Sequence, residues 1–372
     1  MTATEQAPPA PLLPRRRLAF HPLTVAAINR LTADAVEIVF AVPDELADQY
    51  HYLPGQHIAV RAHHAGREIR RSYSLCAPVG GGELRIAVKV EPGGIYSTFA
   101  NSELAVGDTV DVLTPQGSFT TSVAPESTAH IAAVAAGSGI TPVMALATAV
   151  LTGAPGTTFT LIYASRTADQ VMFVDRLADL KDRFPQRFSV HHVLSREQRL
   201  APVHSGRLDP ERLDVLFDRL VLPATVDEWF LCGPVDLVQV VRSHLTARGT
   251  DPADIHVELF TTGERPRTPT PQAASPATGR RGPRVTLTLA GRSSSVVCGV
   301  DERILDAALR SRSDVPFSCA GGVCGTCRAK LRSGTVEMAT NYALEPDELA
   351  AGYILTCQSV PTSEAVEVDY DV

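Results

Sequence analysis

The 372-residue chain contains no apolar run approaching the ~18 uninterrupted residues that a bilayer-spanning helix needs. It also lacks an excess of positive charge. Its 34 Lys and Arg stand against 41 Asp and Glu, a formal net charge of −7, and no basic patch offsets that balance, so nucleic acid is not an expected partner. Arginines 15–17 resemble the start of a twin-arginine export signal, but HPLTVAAINRLTADAV follows in place of the apolar stretch such a signal requires. The expectation is a cytoplasmic chain with no membrane partner, preceded by a disordered Pro/Ala-rich leader over residues 1–17. A reducing compartment leaves little place for disulfides, and seven cysteines (76, 232, 298, 319, 324, 327 and 357) cannot all pair. Three of them crowd into "CAGGVCGTC", residues 319–327.

At ~100 to 200 residues per domain the length implies two or three domains. TGERPRTPTPQAASPATGRRGP, residues 262–283, has five prolines and no apolar run able to join a core, and reads as a linker spanning roughly 26 Å. Over 18–124, short β-rich runs such as AVEIVFAV, HIAVRA and ELRIAVKV alternate with turn signals, the pattern of a small antiparallel barrel. Over 125–261, strands such as HIAAVAA and FTLIYAS alternate with helical segments, which predicts a parallel sheet covered on both faces. Over 284–372, RVTLTLAG and SSSVVC predict a hairpin, and Asp301 is expected to cap a helix running to about Arg312. The fold class is therefore multidomain: an antiparallel β-barrel, an α/β parallel-sheet domain and an α+β domain of the β-grasp type.

Cys319, Cys324, Cys327 and Cys357 give C-x4-C-x2-C and a distant fourth cysteine, the spacing of plant-type 2Fe-2S ferredoxins. Each iron needs two thiolates. The close trio is expected to wrap one side of the cluster, with Gly321, Gly322 and Gly325 bringing backbone N–H groups near the sulfurs. Structural zinc usually takes two separated ligand pairs, unlike this trio and lone fourth. Cys76 and Cys298 read as small buried apolar residues.

Two further stretches point to nucleotide cofactors. "RSYSL" (71–75) is an ordinary strand by itself, but "EPGGIYSTFAN" follows, where Gly93 and Gly94 open a turn and Ser97 and Thr98 are expected to begin a helix whose N–H groups suit a pyrophosphate. "AAGSGITPVM" (135–144) follows a strand and opens a helix, with Pro142 in its first turn; Gly137 and Gly139 allow close approach of a dinucleotide. "LCGP" (231–234) ends a later strand on the same sheet edge and gives Cys232 a site role beside the reactive ring, against the alternative of a buried strand end.

The order R-x-Y-S, GG-x-x-ST, GSGITP, CGP and E-L-F resembles the ferredoxin-NADP reductase superfamily, with a plant-type ferredoxin fused after it. The domain order is similar to that of reductases serving multicomponent oxygenases. The resemblance implies three cofactors, FAD, a nicotinamide nucleotide and a 2Fe-2S cluster held by the four cysteines. It assigns Arg71, Ser97 and Thr98, with Gly94 at the turn, to the FAD pyrophosphate, and Tyr73 and Ser74 to the isoalloxazine. It assigns Gly137, Gly139, Thr141, Pro142, Cys232 and Gly233 to the nicotinamide nucleotide. Ser74, Cys232 and Glu258 are the expected catalytic residues, with Phe260 returning beside Glu258 to the flavin face. "LSREQ" and "GRL" are similar to segments that grip an adenosine 2'-phosphate, through Ser195, Arg196 and Arg207, and Arg166 is a further candidate; isolated arginines are otherwise solvated surface. NADPH is thus expected, with NADH as the second option. Asp209 stands where the family places a tyrosine. A redox-sensing module, the alternative class, would need no intact hydride site. Finally, the stretch from Ser333 to Val372 holds eight acidic residues and no Lys or Arg, which raises the expectation of a negative docking face near Cys357.

Overall fold

The computed structural model describes residues 18–64, 67–77, 83–121, 123–260, 282–344 and 346–372. The expected leader lies outside the described residues, as does the expected linker apart from Gly282 and Pro283.

Alternating apolar residues build the first sheet. β1 (Phe20–Thr32), β2 (Ala35–Ala41), β3 (His57–His64), β4 (Arg67–Ser74), β5 (Glu83–Lys89) and β6 (Thr109–Leu113) pair antiparallel in the order β4-β3-β6-β1-β2-β5. Leu75, just past β4, bridges to Ile86 of β5, which joins the two edges and closes a barrel. Leu23, Ile38, Phe40, Ile58 and Ile86 fill it. α1 (Ile95–Ser102) starts two residues earlier than the sequence predicts, because Gly94 takes the N-cap position, and it lays Tyr96 against Tyr73.

β7 (His130–Ala136), β8 (Thr158–Ser165), β9 (Phe188–Leu194), β10 (Glu228–Cys232) and β11 (Ile255–Glu258) form an all-parallel sheet in the order β11-β10-β7-β8-β9. α2 (Ile140–Gly153) and α3 (Val174–Arg183) cover one face, while α4 (Pro210–Arg219) and α5 (Val235–Ala247) cover the other. Both faces are apolar, so the strands read as continuous hydrophobic runs. Trp229 of β10 is fully buried edge-on to Phe217 of α4, and truncating it to alanine is expected to cost about 3 to 5 kcal/mol. Strand order reverses between β7 and β10, which makes the carboxyl ends of those two strands the natural ligand crevice.

β12 (Arg284–Leu289), β13 (Arg292–Val297), β14 (Arg328–Ser333), β16 (Tyr353–Leu355) and β18 (Ala365–Asp369) make a mixed sheet in the order β13-β12-β18-β14-β16, and β15 (Val336–Met338) pairs with β17 (Ser359–Pro361). β12 and β18 run parallel; β12 and β13 form the expected hairpin, turning at Ala290 and Gly291. α6 (Ile304–Ser311) buries Ile304, Leu305, Ala307 and Ala308 against this sheet, and the short α7 (Pro346–Ala350) leads into β16. Asp301 does not cap α6: it sits in the left-handed region at φ 59°, a conformation aspartate tolerates in turns, and Arg303 holds the N-cap position.

Candidate functional site

Successive residues of a strand point to opposite faces, so β4 serves two surfaces. Tyr73 packs with Tyr96 at the barrel end, and burial raises its phenol pKa. Arg71 Nη1 donates to the Arg70 carbonyl at 2.7 Å. In the adjoining turn, Gly93 needs its positive φ of 75°, and a side chain on Gly94 would meet Ser97 Oγ at 2.6 Å. Ser97 is buried, its hydroxyl accepting from Glu91 N–H at 3.0 Å and donating to the Gly94 carbonyl at 3.1 Å. The structure thus commits Ser97 to the turn itself. Thr98 stays exposed, though its hydroxyl too donates to the Gly94 carbonyl, at 2.8 Å. The first-turn N–H groups of α1 are then the anion donors this end offers.

On the opposite face of β4, Ser74 Oγ donates to Glu258 Oε2 at 2.7 Å, tying the barrel to the last strand of the parallel sheet. Cys232 lies beside Glu258 in register on β10, fully buried. Burial, and next the Glu258 charge, push its thiol pKa well up, which keeps it protonated. The three expected catalytic residues therefore converge. Phe260 packs on the core next to them.

One member of this junction escaped the sequence reading. His57, at the start of β3, is 5% exposed, with Nδ1 3.6 Å from Glu258 Oε1 and its imidazole against the Cys324 backbone. Burial alone lowers a histidine's pKa; the Glu258 carboxylate outweighs it and raises this one. Its only sequence signal is a polar residue opening an apolar strand.

At the switch point the two glycines divide their work. Gly137 has φ 55° and open space around it, as close ligand approach requires. Gly139 instead admits the neighbouring strand, since a side chain there would stand 2.2 Å from the Cys232 carbonyl oxygen. Its lack of a side chain therefore serves packing. Gly233 lies against Ala136, Pro142 is buried in the first turn of α2, and the buried Thr141 hydroxyl donates to the Ser138 carbonyl at 3.0 Å.

Further along the sheet edge, Ser195 N–H donates to the Ser165 carbonyl at 2.9 Å and Arg196 N–H to the Arg166 carbonyl at 2.8 Å, so Arg166 and Arg196 emerge side by side. A cleft of about 490 Å³ opens there, lined by Ser195, Arg196, Glu197, Ser205, Gly206 and Arg212 among others. Arg207 is not part of that lining; its carbonyl accepts from Arg212, which takes the place on the wall. Asp209 caps α4 by accepting from Arg212 N–H at 2.9 Å and also pairs with the Arg212 guanidinium at 3.2 Å, which explains an aspartate at this position.

The cysteine loop winds through left-handed residues at Ala320, Gly322 and Gly325. Its thiols form two pairs. Cys319 and Cys324 lie within hydrogen-bonding reach of each other, as do Cys327 and Cys357, so the arrangement is two and two rather than a trio with a lone fourth. Cys327 and Cys357 sit in the core of this domain, while Cys319 and Val323 pack against the parallel-sheet domain. Gly321 N–H points at Cys319 Sγ (3.3 Å) and Gln358 Nε2 at Cys357 Sγ (3.5 Å). Two neighbouring thiol pairs suit a binuclear cluster with two thiolates per iron. The donor set fits such a cluster. The acidic segment is less free than its charge implies: Glu348 pairs with Arg328 at 2.8 Å, Asp369 with Arg332 at 2.8 Å, and Asp371 accepts from Ala290 and Gly291 N–H at 2.7 Å. Glu345 lies outside the described residues.

The chain matches three families in succession: the oxidoreductase FAD-binding domain over 22–121, the oxidoreductase NAD-binding domain over 133–243, and the 2Fe-2S iron-sulfur cluster binding domain over 287–362. It is 42% identical to a component of the 1,2-phenylacetyl-CoA epoxidase of Escherichia coli (strain K12), over 95% of this chain and 98% of that one. It is 34% identical to the 3-ketosteroid-9-alpha-monooxygenase ferredoxin reductase component of Mycobacterium tuberculosis (strain ATCC 25618 / H37Rv), over 94% and 95%. Phthalate dioxygenase reductase shares the fold, with a TM-score of 0.56 at 23% identity over 94% of this chain and 98% of that one. No helix among the described residues is long and apolar enough to cross a membrane. With barrel, switch-point sheet and thiol-lined loop in this order, the chain belongs to the ferredoxin-NADP reductase superfamily, among the flavin- and 2Fe-2S-dependent NAD(P)H oxidoreductases that serve as reductase components of oxygenases.

Proposed function

We propose that the chain draws electrons from NADPH and delivers them to a phenylacetyl-CoA epoxidase in phenylacetate degradation, in the cytoplasm. The 42% identity to the Escherichia coli epoxidase component, against 34% to the ketosteroid monooxygenase reductase, carries the choice of partner. A ketosteroid hydroxylase or another oxygenase is the second reading. When bound, FAD accepts the hydride's two electrons and releases them singly to the cluster.

The chain's own residues divide that task. Arg71, Tyr73, Thr98 and the α1 N–H groups hold FAD, with Gly94 and Ser97 shaping the turn. Glu258 and Ser74 fix the orientation of the reacting rings, and Cys232, kept neutral, packs the nicotinamide face. Gly137, Thr141 and Gly233 shape the crevice for the pyrophosphate, while Gly139 and Pro142 hold the strand and helix that border it. Ser195, Arg196 and Arg212 line the cleft for the 2'-phosphate, with Arg166 nearby and Arg207 supporting Arg212. Cys319, Cys324, Cys327 and Cys357 ligate the cluster. The domain boundaries proposed are those expected from the sequence, 18–124, 125–261 and 284–372. Reconstitution with oxygenase subunits, measuring NADPH consumption coupled to product from phenylacetyl-CoA and from a ketosteroid-CoA in parallel, tests the assignment. Coupled turnover with the ketosteroid alone would replace it with the second reading.

A further inference from the structure

The cluster-bearing domain is seated on the barrel by side chains that none of the family motifs contains. Arg70, on the face of β4 opposite Arg71, is 5% exposed although it carries a guanidinium. Nε pairs with Glu68 at 2.7 Å, Nη1 donates to the Val315 carbonyl at 3.1 Å, and the guanidinium stacks 4.1 Å from the Phe317 ring centroid. A cation is desolvated to this degree only when its partners are fixed, so Arg70 fastens the loop before Cys319 to the barrel.

A second contact reaches the cluster ligands. Gln116 is pinned to β3 by a reciprocal pair of backbone hydrogen bonds with His57, at 2.8 and 2.9 Å. Its Nε2 donates to Thr326 Oγ1 at 2.7 Å, and that hydroxyl, completely buried, lies 3.1 Å from Cys324 Sγ. A cysteine ligating iron is a thiolate and can only accept. With Gln116 donating to its oxygen, the Thr326 hydroxyl is left to direct its single proton at the sulfur. Hydrogen bonds to cluster sulfurs favour the reduced, more negative state.

We propose that Gln116 is a positioning residue that makes the cluster a better electron acceptor only while its domain is docked on the barrel, by orienting the Thr326 hydroxyl toward Cys324. Docked, the cluster is tuned to receive an electron from the flavin. Undocked to meet an oxygenase, it loses the Gln116 contact, its potential falls, and delivery to the partner is favoured. No electron is added or removed by this device; it shifts the balance of an existing one-electron exchange.

The test is an anaerobic redox titration of the full-length holoprotein, following the reduced cluster by electron paramagnetic resonance. Thr326→Val is expected to lower the midpoint by about 59 mV, tenfold in the one-electron equilibrium, and Gln116→Leu by most of that amount. In the double variant the two shifts should not add, while Thr326→Ser keeps the wild-type value. Small-angle scattering should show Gln116→Leu as compact as wild type, and an expanded Arg70→Leu chain should show the same fall in potential with Gln116 intact. Gln116→Glu, nearly isosteric and acceptor-only, draws the hydroxyl proton to itself and lowers the potential at least as far. Because its charge alone also lowers the potential, the deciding comparison if the leucine variant does not fold is Thr326→Val in the glutamate background, where no further fall is expected and a further fall would overturn the proposal. A wild-type midpoint in Gln116→Leu or Gln116→Glu, fully additive shifts in the double variant, or an expanded Arg70→Leu chain with an unchanged midpoint would each overturn the proposal.

Discussion

Replacing Arg176 with methionine removes an ion pair between α3 and the barrel while keeping most of the aliphatic stem. Arg176 grips Glu37 of β2 with both ends of its guanidinium, at 2.7 and 2.8 Å, and Asn29 (3.0 Å) and Arg85 (3.3 Å) hold the same carboxylate. Glu37 is fully buried. Two charge-assisted bonds at about 1.5 to 3 kcal/mol each give a gross loss of about 3 to 6 kcal/mol. Water screens part of it, since the Arg176 side chain is 36% exposed, and Arg85 and Asn29 remain, so the net expectation at pH 7 is about 1.5 to 3 kcal/mol. With a urea slope of about 1 to 3 kcal/mol per molar for one domain, the first unfolding midpoint should fall by about 1 M. The pH dependence gives the sharper check. Burial is the largest single influence on Glu37 and raises its pKa, yet the hydrogen bonds from Arg176 and Asn29 and the charges of Arg176 and Arg85 together bring it below the ordinary glutamate value. A depressed folded pKa contributes stability above the unfolded pKa of ~4.3 that disappears as pH falls through the folded one. In Arg176→Met the folded pKa rises, so the gap between variant and wild type should be full near neutrality and close toward pH 3. A gap that stays constant from pH 7 to pH 3 would refute the ionic account and assign the loss to the guanidinium's place over the Phe173 ring, 5.2 Å from its centroid.

Cys324→Ser should leave FAD bound and NADPH-driven ferricyanide reduction largely intact while electron delivery to the oxygenase collapses; unchanged oxygenase turnover would remove Cys324 from the ligand set. Arg196→Ala should cost roughly ten- to hundredfold in kcat/KM for NADPH relative to NADH, and Arg212→Ala a smaller factor in the same direction because Asp209 already shares its charge, as steady-state kinetics with both nucleotides will measure. Delivery to the oxygenase should slow as ionic strength rises from about 0.01 M to above ~0.1 M, and Asp347→Asn should flatten that profile; Asp347 is exposed, whereas Glu348 is tied to Arg328, and an unaltered salt slope would put the docking face elsewhere.

Local chemistry was legible in the sequence and tertiary convergence was not. The cluster cysteines and the GSGITP turn were readable because their chemistry is confined to a few consecutive residues: thiols at ligand spacing, and glycines where backbone needs φ above zero or room for a neighbour. The barrel was readable because side-chain period follows strand pleat. Asp301 was misplaced because an aspartate before a helix suits a left-handed turn as well as a cap, and local sequence does not choose between them. His57, Gln116, Arg70 and Arg212 leave no local pattern. Arg70 meets Val315 across 245 positions, Gln116 meets Thr326 across 210, and Ser74 meets Glu258 across 184. Of that last pair, both residues were named from family resemblance, and only the fold reveals that they touch. Charge counting is coarse for the same reason. Among the eight acidic residues after Ser333, Glu348, Asp369 and Asp371 are engaged within their own domain, so the field an oxygenase meets is set by which carboxylates the fold leaves exposed, among them Glu337, Asp347, Glu364 and Glu367. Where a partner docks is therefore a property of the folded surface, and the total charge of the segment does not determine it.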